Sequence, residues 1–262
     1  MYTLTAAPSW FPGEMYDKPA QVAAHGFKAM EMLGWKDVDL PRMKKACEDA
    51  GIVISAINFA SKDEEKQAKI AWTHGIVWDD SRDAFLGAIE ESIAAAKALD
   101  VRNIVITSGN EIPDVPRVTQ HASLVCNIKA AAPLVEAAGM TLVLEPLNRL
   151  ISHKGHYLNT TAEAVAVIRE VGSANVRVLY DVFHQQITEG NIINNIRDNI
   201  EYIGHIHIGD VPGRKQPGTG EINYPAVFKA IADTGYDKFV VFECGITEDV
   251  DTVCKKMWAM QP

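Results

Sequence analysis

Eight short apolar runs rich in β-branched residues alternate with longer amphipathic stretches from one end of the chain to the other. This alternation is typical of β-α units that build a parallel sheet. The predicted strands cover residues 3–10, 29–33, 52–59, 103–108, 141–146, 176–181, 203–209 and 239–243. Eight such units in 262 residues fit a (β/α)8 TIM barrel, which typically takes about 250 residues. We therefore predict an α/β fold with one TIM-barrel domain over residues 1–262.

Helix signals lie between these runs. Residues 81–99 and 117–138 carry apolar side chains at helical spacing. Asp17, Thr160 and Asn223 stand where an N-terminal cap is expected, and glycines such as Gly139 precede the strands, where a helix end tolerates a positive φ. No Ser/Gly/Pro-rich tract separates two halves, which favours one domain.

Composition excludes several classes of protein. Lys and Arg number 25 and Asp and Glu 34, so the net charge is −9 and offers no basic surface for nucleic acid. No apolar run reaches the roughly 18 residues of a membrane span, and the first residues do not resemble a signal peptide, so we expect a cytoplasmic protein with no membrane partner. Four widely spaced cysteines indicate reduced, structural thiols.

Polar residues follow or end four consecutive predicted strands in the second half of the chain. They are Glu145, Asp181, His207 and Glu243. In a parallel barrel the carboxyl ends of the strands meet at one mouth, so these side chains should converge. Three buried carboxylates would be strongly destabilised without a cation. Three oxygen ligands and one imidazole suit a single divalent ion, Mn, Mg, Co or Zn, with positions left open for substrate.

Several motifs in this half add a family resemblance. They are Leu-Glu-Pro-Leu-Asn at 144–148, Tyr-Leu-Asn-Thr-Thr at 157–161, Tyr-Asp-x-x-His at 180–184, Gly-His-Ile at 204–206 and Pro-Gly-Thr-Gly-Glu-Ile-Asn-Tyr at 217–224. This set resembles the hydroxypyruvate isomerase family, which belongs with the D-tagatose 3-epimerase type of ketose epimerases to the xylose isomerase-like TIM barrels. The resemblance is dense from about residue 139 to residue 243.

The resemblance implies roles for individual residues. Glu145, Asp181, His207 and Glu243 would bind the metal, and Glu145 and Glu243 would also serve as the acid-base pair. His184 and Arg214 would contact the substrate, a small keto acid or sugar. The residues themselves add Glu31, which ends an apolar run and is predicted to bind substrate hydroxyls.

The chemistry expected of such a site is proton transfer next to a carbonyl. A carboxylate removes this proton only if the resulting cis-enediolate is stabilised, which a chelating metal does. Proton transfer between neighbouring carbons gives aldose-ketose isomerisation, whereas transfer on opposite faces of one carbon gives epimerisation. The sequence leaves both outcomes open.

Three departures from the family bear on the substrate. Hydroxypyruvate isomerases usually have Gln where this chain has His207, and the epimerase branch has His. The family's Trp-x-x-Gly-Glu-Arg-Gly stretch is replaced by residues 71–75, and its Tyr-Lys-Pro by residues 244–246. Trp72 and Trp78 lie in a long segment after the third strand that is either an active-site lid or a packed loop.

An isomerase of hydroxypyruvate or a related compound is the leading hypothesis, and a ketose 3-epimerase is the alternative. An endonuclease-IV-like phosphodiesterase is disfavoured by the net charge of −9. A non-catalytic sugar-binding protein is a fourth alternative. The oligomeric state stays open, with Met257, Trp258 and Met260 as candidates for a homo-oligomer contact.

Overall fold

A computed structural model describes all 262 residues, in which nine strand segments alternate with ten α-helices. The strands are β1 (Thr3–Ala6), β2 (Ala29–Met30), β3 (Val53–Ile54), β4 (Ala56–Asn58), β5 (Asn103–Thr107), β6 (Thr141–Glu145), β7 (Val176–Asp181), β8 (Ile203–Ile208) and β9 (Phe239–Phe242). The helices are α1 (Lys18–Ala24), α2 (Leu40–Ala50), α3 (Glu64–Ile70), α4 (Arg82–Leu99), α5 (Arg117–Ala138), α6 (Thr161–Val171), α7 (Val182–Thr188), α8 (Ile192–Asn199), α9 (Tyr224–Asp233) and α10 (Val250–Ala259).

The strands form one parallel sheet that curls into a barrel. Their order is β3-β2-β1-β9-β8-β7-β6-β5-β4, and every pairing is parallel. Only Ser55 separates β3 from β4. The two segments therefore act as one strand that pairs with β2 through its first half and with β5 through its second. The predicted TIM barrel is confirmed, with the predicted strand 52–59 split at Ser55.

The predicted strand boundaries hold best in the second half of the chain. β7 covers the predicted residues 176–181 without change, and β6 and β8 each end one residue early. The first strand was predicted to reach residue 10 but ends at Ala6. Pro8 begins a 3-10 turn that runs to Trp10, because proline has no N–H to donate to a sheet.

Helix ends follow the predicted capping residues, with one exception. The Thr160 side chain accepts from the Glu163 N–H, and the Asn223 side chain accepts from the Ala226 N–H. Gly139 ends α5 with φ at 65°, a conformation that glycine adopts without steric cost. Asp17 precedes α1 as predicted but makes no side-chain capping bond.

Alternate residues of the strands point into the barrel. Ala56, Val105, Val143 and Leu179 form a small buried apolar cluster across one side of the interior. Two residues further along their strands lie Glu145 and Asp181, and two residues earlier lie Thr141 and Arg177. The apolar cluster therefore separates polar groups at the two ends of the barrel.

Two observations concern the surface. The ten helices include none that is both long and apolar enough to span a membrane. Met257, a candidate for an oligomer contact, is fully buried, because it lies on the inner face of α10, whereas Trp258 is 39% exposed.

Candidate active site

The four predicted ligands converge at the carboxyl end of the barrel. Glu145 ends β6, Asp181 ends β7, His207 lies one residue before the end of β8, and Glu243 directly follows β9. One donor atom from each of the four lies within 4.8 Å of the others. Glu145, Asp181 and His207 are buried, and Glu243 is partly exposed to the mouth.

Asp181 uses its two oxygens for different tasks. Oδ1 caps α7 by accepting from the Phe183 N–H at 2.8 Å and from the His184 N–H at 3.4 Å. Oδ2 faces the mouth and lies 2.7 Å from Arg214 Nη2. The abrupt change from β7 to α7 thus orients the carboxylate toward the other three ligands.

His207 lies between two carboxylates, one on each side of its ring. Nε2 lies 3.0 Å from Glu31 Oε2, and Nδ1 lies 2.6 Å from Glu243 Oε2. A carboxylate that holds one ring nitrogen fixes the orientation of the imidazole and leaves the other nitrogen for a ligand. Nδ1 is therefore the atom that His207 offers to the site.

Glu31 lies behind His207 and is 3% exposed. Its Oε1 is 2.8 Å from His205 Nε2, so one carboxylate holds both inward-facing histidines of β8. Asn103 Nδ2 lies 3.4 Å from His205 Nδ1 and extends this polar chain toward the other end of the barrel. Glu31 was predicted to bind substrate hydroxyls; its observed contacts are with His205 and His207, although it also borders a cavity.

Electrostatics at the site follow from burial and from the concentration of charge. Burial and the nearby Glu243 carboxylate raise the pKa of Glu145 well above its usual range. Burial would raise the pKa of Asp181 too, but His184, Arg214 and His207 lower it. Burial would lower the pKa of His207, but Glu31 and Glu243 raise it. The four residues thus carry more negative charge than their single imidazole can balance.

Arg214 supplies positive charge from the loop between β8 and α9. Its Nη2 lies 2.7 Å from Asp181 Oδ2 and 2.5 Å from Glu243 Oε2, and its Nε donates to the Glu243 carbonyl at 3.1 Å. The residue has a φ of 52°, which only a fixed loop maintains in a non-glycine residue. Arg214 therefore contacts two of the predicted ligands directly.

Asp210 fixes the loop that carries Arg214. Its Oδ2 accepts from the N–H groups of Gly218 and Gly220, at 2.8 and 2.9 Å. A Cβ on Gly220 would lie 2.0 Å from the Val211 carbonyl oxygen, so this position requires glycine. Part of the motif at 217–224 is therefore explained by loop closure around Asp210.

Three buried polar atoms of the predicted site residues have no hydrogen-bond partner. They are Glu145 Oε1, His207 Nδ1 and His184 Nε2. His207 Nδ1 is close to Glu243, and His184 Nε2 lies 3.5 Å from Asp181 Oδ2, but neither contact has hydrogen-bond geometry. Buried polar atoms are rarely left unpaired without a function. The donor set of three carboxylates and one imidazole, with Glu145 Oε1 and His207 Nδ1 unpaired, fits a divalent cation.

His184 is held from its other nitrogen. Nδ1 lies 2.7 Å from Asn148 Nδ2, and the Asn148 N–H donates to it at 3.2 Å. Asn148 thus fixes the orientation of the His184 ring. With Nδ1 accepting, Nε2 carries the proton and is free to donate to a substrate oxygen.

Two cavities meet at Arg214 and Glu243. The first, about 300 Å³, contains Glu145, His184 and His207, and is walled on its far side by Trp72 and His153 among others. The second, about 570 Å³, lies toward β1 and β2 and has mainly apolar walls, with Lys18 and Glu31 among its charged residues. Trp72 therefore lines the smaller cavity, whereas Trp78 stacks on His74, with a distance of 4.4 Å between ring centroids.

Comparison with known proteins identifies the family. A family model described as a xylose isomerase-like TIM barrel matches residues 19–255. The chain belongs to this family. Its strand order and the convergence of four predicted ligands at the carboxyl mouth agree with this xylose isomerase-like TIM barrel assignment.

Curated proteins similar to the chain include isomerases and an epimerase. The chain is 31% identical over 225 residues to 2-oxo-tetronate isomerase of Cupriavidus necator, covering 86% of this chain and 84% of that one. It is 30% identical over 226 residues to hydroxypyruvate isomerase of Escherichia coli, with the same coverage. It is 28% identical over 233 residues to D-psicose 3-epimerase of Agrobacterium fabrum, covering 85% of this chain and 76% of that one. The predicted family is confirmed, and these relatives agree with the predicted isomerase class.

Among solved structures, an AP endonuclease, family 2, from Brucella melitensis superposes with a TM-score of 0.89. The match covers 100% of both chains at 23% identity, so it supports the fold alone.

Sequence reasoning missed two features of the site. His153, which lines the smaller cavity and lies 5.3 Å from the His184 ring between ring centroids, comes from an irregular loop whose path no periodicity predicts. The second feature is that Glu31 contacts both His205 and His207, and the sequence does indicate such a contact. His205 and His207 are two residues apart in a strand, so both face inward and need a buried partner.

Proposed function

We propose that this chain is a divalent-metal-dependent isomerase that moves a carbonyl group between neighbouring carbons of a small hydroxy-carbonyl acid or sugar, with residues 1–262 acting as one barrel domain. The observation that carries the proposal is the convergence of Glu145, Asp181, His207 and Glu243 within 4.8 Å at the carboxyl mouth. The similarity to 2-oxo-tetronate isomerase and hydroxypyruvate isomerase supports a substrate of that chemical class.

The ligand set would be Glu145, Asp181, His207 and Glu243, and Mn, Mg, Co and Zn all accept such donors. When bound, the ion supplies Lewis acidity that withdraws charge from the substrate carbonyl and makes the neighbouring proton easier to remove. Glu31 keeps His207 oriented through Nε2, at 3.0 Å, so that Nδ1 stays directed at the site.

Two carboxylates would move the proton. Glu145 and Glu243 extend from β6 and β9, on either side of Asp181 and His207, so a bound carbon skeleton would lie between them. The Glu145 carboxyl group, one oxygen of which has no hydrogen-bond partner, serves as one proton carrier. Glu243 Oε2, on the other side, is held by Arg214 at 2.5 Å and serves as the second. The substrate passes through a cis-enediolate between the two transfers.

His184 and Arg214 would bind and orient the substrate. The unpaired Nε2 of His184 is suited to donate to a hydroxyl or carbonyl oxygen of a molecule in the smaller cavity. Arg214 has donors at the junction of both cavities. Fixed donors of this kind stabilise charge that develops on substrate oxygens during proton removal.

The second candidate function is ketose 3-epimerisation. Two observations favour it: His207 occupies the position where hydroxypyruvate isomerases usually have glutamine, and D-psicose 3-epimerase is among the similar proteins. The same two carboxylates would then work on opposite faces of one carbon. The geometry of the protein alone is compatible with both substrate orientations.

NMR spectroscopy in deuterated water tests both candidates on the manganese- or magnesium-loaded protein. The substrates are hydroxypyruvate, tartronate semialdehyde, D-fructose, D-tagatose and D-psicose. Carbonyl migration between adjacent carbons, with deuterium incorporation, is the result expected for the isomerase. Inversion at C3 with an unmoved ketone would replace it with the epimerase. Metal binding without proton exchange in any of the five compounds would contradict both.

A further inference from the structure

A separate cavity lies at the amino-terminal end of the barrel, on the far side of the apolar cluster from the predicted metal ligands. It has a volume of about 480 Å³. Its charged wall residues are Arg102, Arg177, Lys238 and Asp237. We call this the floor cavity. Three cationic side chains and one acidic one surround it, although the whole chain has a net charge of −9.

Arg177 is the residue around which the floor cavity is built. It faces into the barrel from β7, in line with Leu179 and Asp181, and makes no side-chain hydrogen bond or ion pair with any residue. Its nitrogen atoms reach solvent, so the five donors of the guanidinium are open to a ligand in the cavity. The amino-terminal end of the barrel thus presents a partly buried, solvent-accessible cation whose donors have no protein partner.

Gly204 makes room for this side chain. The β7–β8 pairing shifts register between Val178 and Leu179, and Gly204 is the extra residue on β8. A Cβ on Gly204 would lie 2.6 Å from Arg177 Cβ and 3.1 Å from Val143 Cγ1. An irregularity in the ladder and a residue without a side chain therefore accommodate the base of the Arg177 side chain at this end of the barrel.

The two other cations are bound only to carbonyl oxygens. Arg102 Nη1 donates to the Gly139 carbonyl at 3.3 Å, and Lys238 Nζ donates to the Ile203 carbonyl at 3.1 Å. No carboxylate oxygen lies within ion-pair distance of Arg102, Arg177 or Lys238, and Asp237 forms no ion pair. Burial and the Arg177 charge lower the pKa of Lys238, as expected where like charges approach each other.

We propose that the floor cavity binds a small oxyanion with at least two negative charges, either a phosphate group or a polycarboxylate. Such a ligand would satisfy the free guanidinium donors of Arg177 in the forked geometry that arginine favours, and would relieve the repulsion between Arg177 and Lys238. The volume lies within the range of ligand sites, about 300 to 1,000 Å³. The site is independent of the isomerase chemistry proposed for the opposite end.

Titration calorimetry of the metal-loaded full chain tests the proposal with two probes, inorganic phosphate and propane-1,2,3-tricarboxylate, in a buffer without other polyanions. We expect one of the two to bind with a stoichiometry of one and with an affinity that falls as sodium chloride is added. The probe that binds more tightly identifies the source of the anion. Absence of binding by both would overturn the proposal.

Variants that replace one cationic side chain with glutamine locate the bound anion. Arg177→Gln should weaken binding roughly tenfold or more, because a charge-assisted hydrogen bond is lost. Lys238→Gln, at the exposed edge of the cavity, should weaken it by a smaller factor and keeps the proposal testable if Arg177→Gln does not fold. Lys129→Gln, on the exposed outer side of α5, removes the same charge elsewhere and should leave binding unchanged.

The active site provides the decisive comparison. If Glu145→Gln or metal removal abolished anion binding while Arg177→Gln and Lys238→Gln left it intact, the anion would be bound at the carboxyl mouth and the floor cavity would not be its site. If Lys129→Gln weakened anion binding equally, net charge alone would explain the loss of affinity, which would contradict the proposal.

Discussion

Arg214 and Glu243 are joined by two contacts, one from guanidinium Nη2 to the carboxylate at 2.5 Å and one from Nε to the backbone carbonyl at 3.1 Å. The same Nη2 also lies 2.7 Å from Asp181 Oδ2. An arginine thus shares two carboxylates with the candidate metal site. A cation that binds there has to compete with Arg214 for both.

This competition makes a prediction about metal affinity. Arg214→Gln should bind Mn²⁺ more tightly, roughly threefold to tenfold, because a positive charge close to the ion is removed. Turnover should nevertheless fall, because the substrate loses a donor. Calorimetry of chelator-treated protein measures the affinity. Weaker Mn²⁺ binding by the variant would mean that Arg214 holds the ligands in place more than it competes for them.

Glu145→Gln should abolish turnover and leave the fold intact. The side chain is buried and its pKa is raised by burial and by Glu243, so a neutral amide of the same shape is tolerated there. Loss of a proton carrier typically costs about 100-fold to 10,000-fold in rate. Circular dichroism and thermal unfolding check the fold, and the NMR assay checks turnover. Glu64→Gln, exposed on α3, serves as the control. Residual activity near that of the unmodified protein would remove Glu145 from the mechanism.

Glu31→Gln tests the carboxylate behind His207. We expect Mn²⁺ affinity to fall roughly 10-fold to 100-fold, as it does when a carboxylate that orients a histidine ligand is lost. The measurement is calorimetric and does not depend on turnover. An unchanged Mn²⁺ affinity combined with a higher KM would favour the role first predicted for Glu31, the binding of substrate hydroxyls.

The buried His156 should make the free energy of unfolding depend on pH. Burial and the neighbouring His153, His184 and Arg149 lower the pKa of His156 from 6.5 to about 3. The unfolded chain then binds more protons than the folded one between these values. Stability from this group is complete above pH 6.5 and is lost as the pH falls toward 3.

The size of this effect is measurable. The free energy of unfolding should decrease by about 2 kcal/mol between pH 7 and pH 5 from His156 alone. His156→Gln should lose this contribution to the pH dependence and should be less stable at pH 7. Its amide can replace the contact between His156 Nε2 and Ser108 Oγ, which is 3.0 Å long. Urea unfolding at several pH values provides the comparison. A variant with the parent's full pH slope would show that other groups cause it.

Periodicity and residue chemistry were sufficient to predict most of the barrel and the convergence of Glu145, Asp181, His207 and Glu243. Glu145, Asp181 and His207 lie at or near the ends of apolar strands, where one rule about parallel barrels fixes their position. The end of β1 was missed because a single proline changes which backbone donors are present.

Contacts between distant loops were not predictable in this way. His153 reaches the site because the loop after β6 folds back, with the His153 N–H donating to the Asn148 carbonyl at 3.1 Å. The bond between Asn148 and His184 likewise joins residues 36 positions apart. Such pairings depend on the packing of irregular segments, for which the sequence contains no repeating pattern.

The close approach of Gly220 to the Val211 carbonyl has a consequence for how family motifs are interpreted. Gly218 has a φ of 91° and Gly220 has no space for a Cβ, and their N–H groups close the loop around the Asp210 carboxylate. Any enzyme that presents an arginine from a turn of this shape needs the same glycines, whatever compound it converts. The motif therefore indicates how this loop is built, and substrate preference has to be sought among the residues that line the two cavities at the carboxyl mouth.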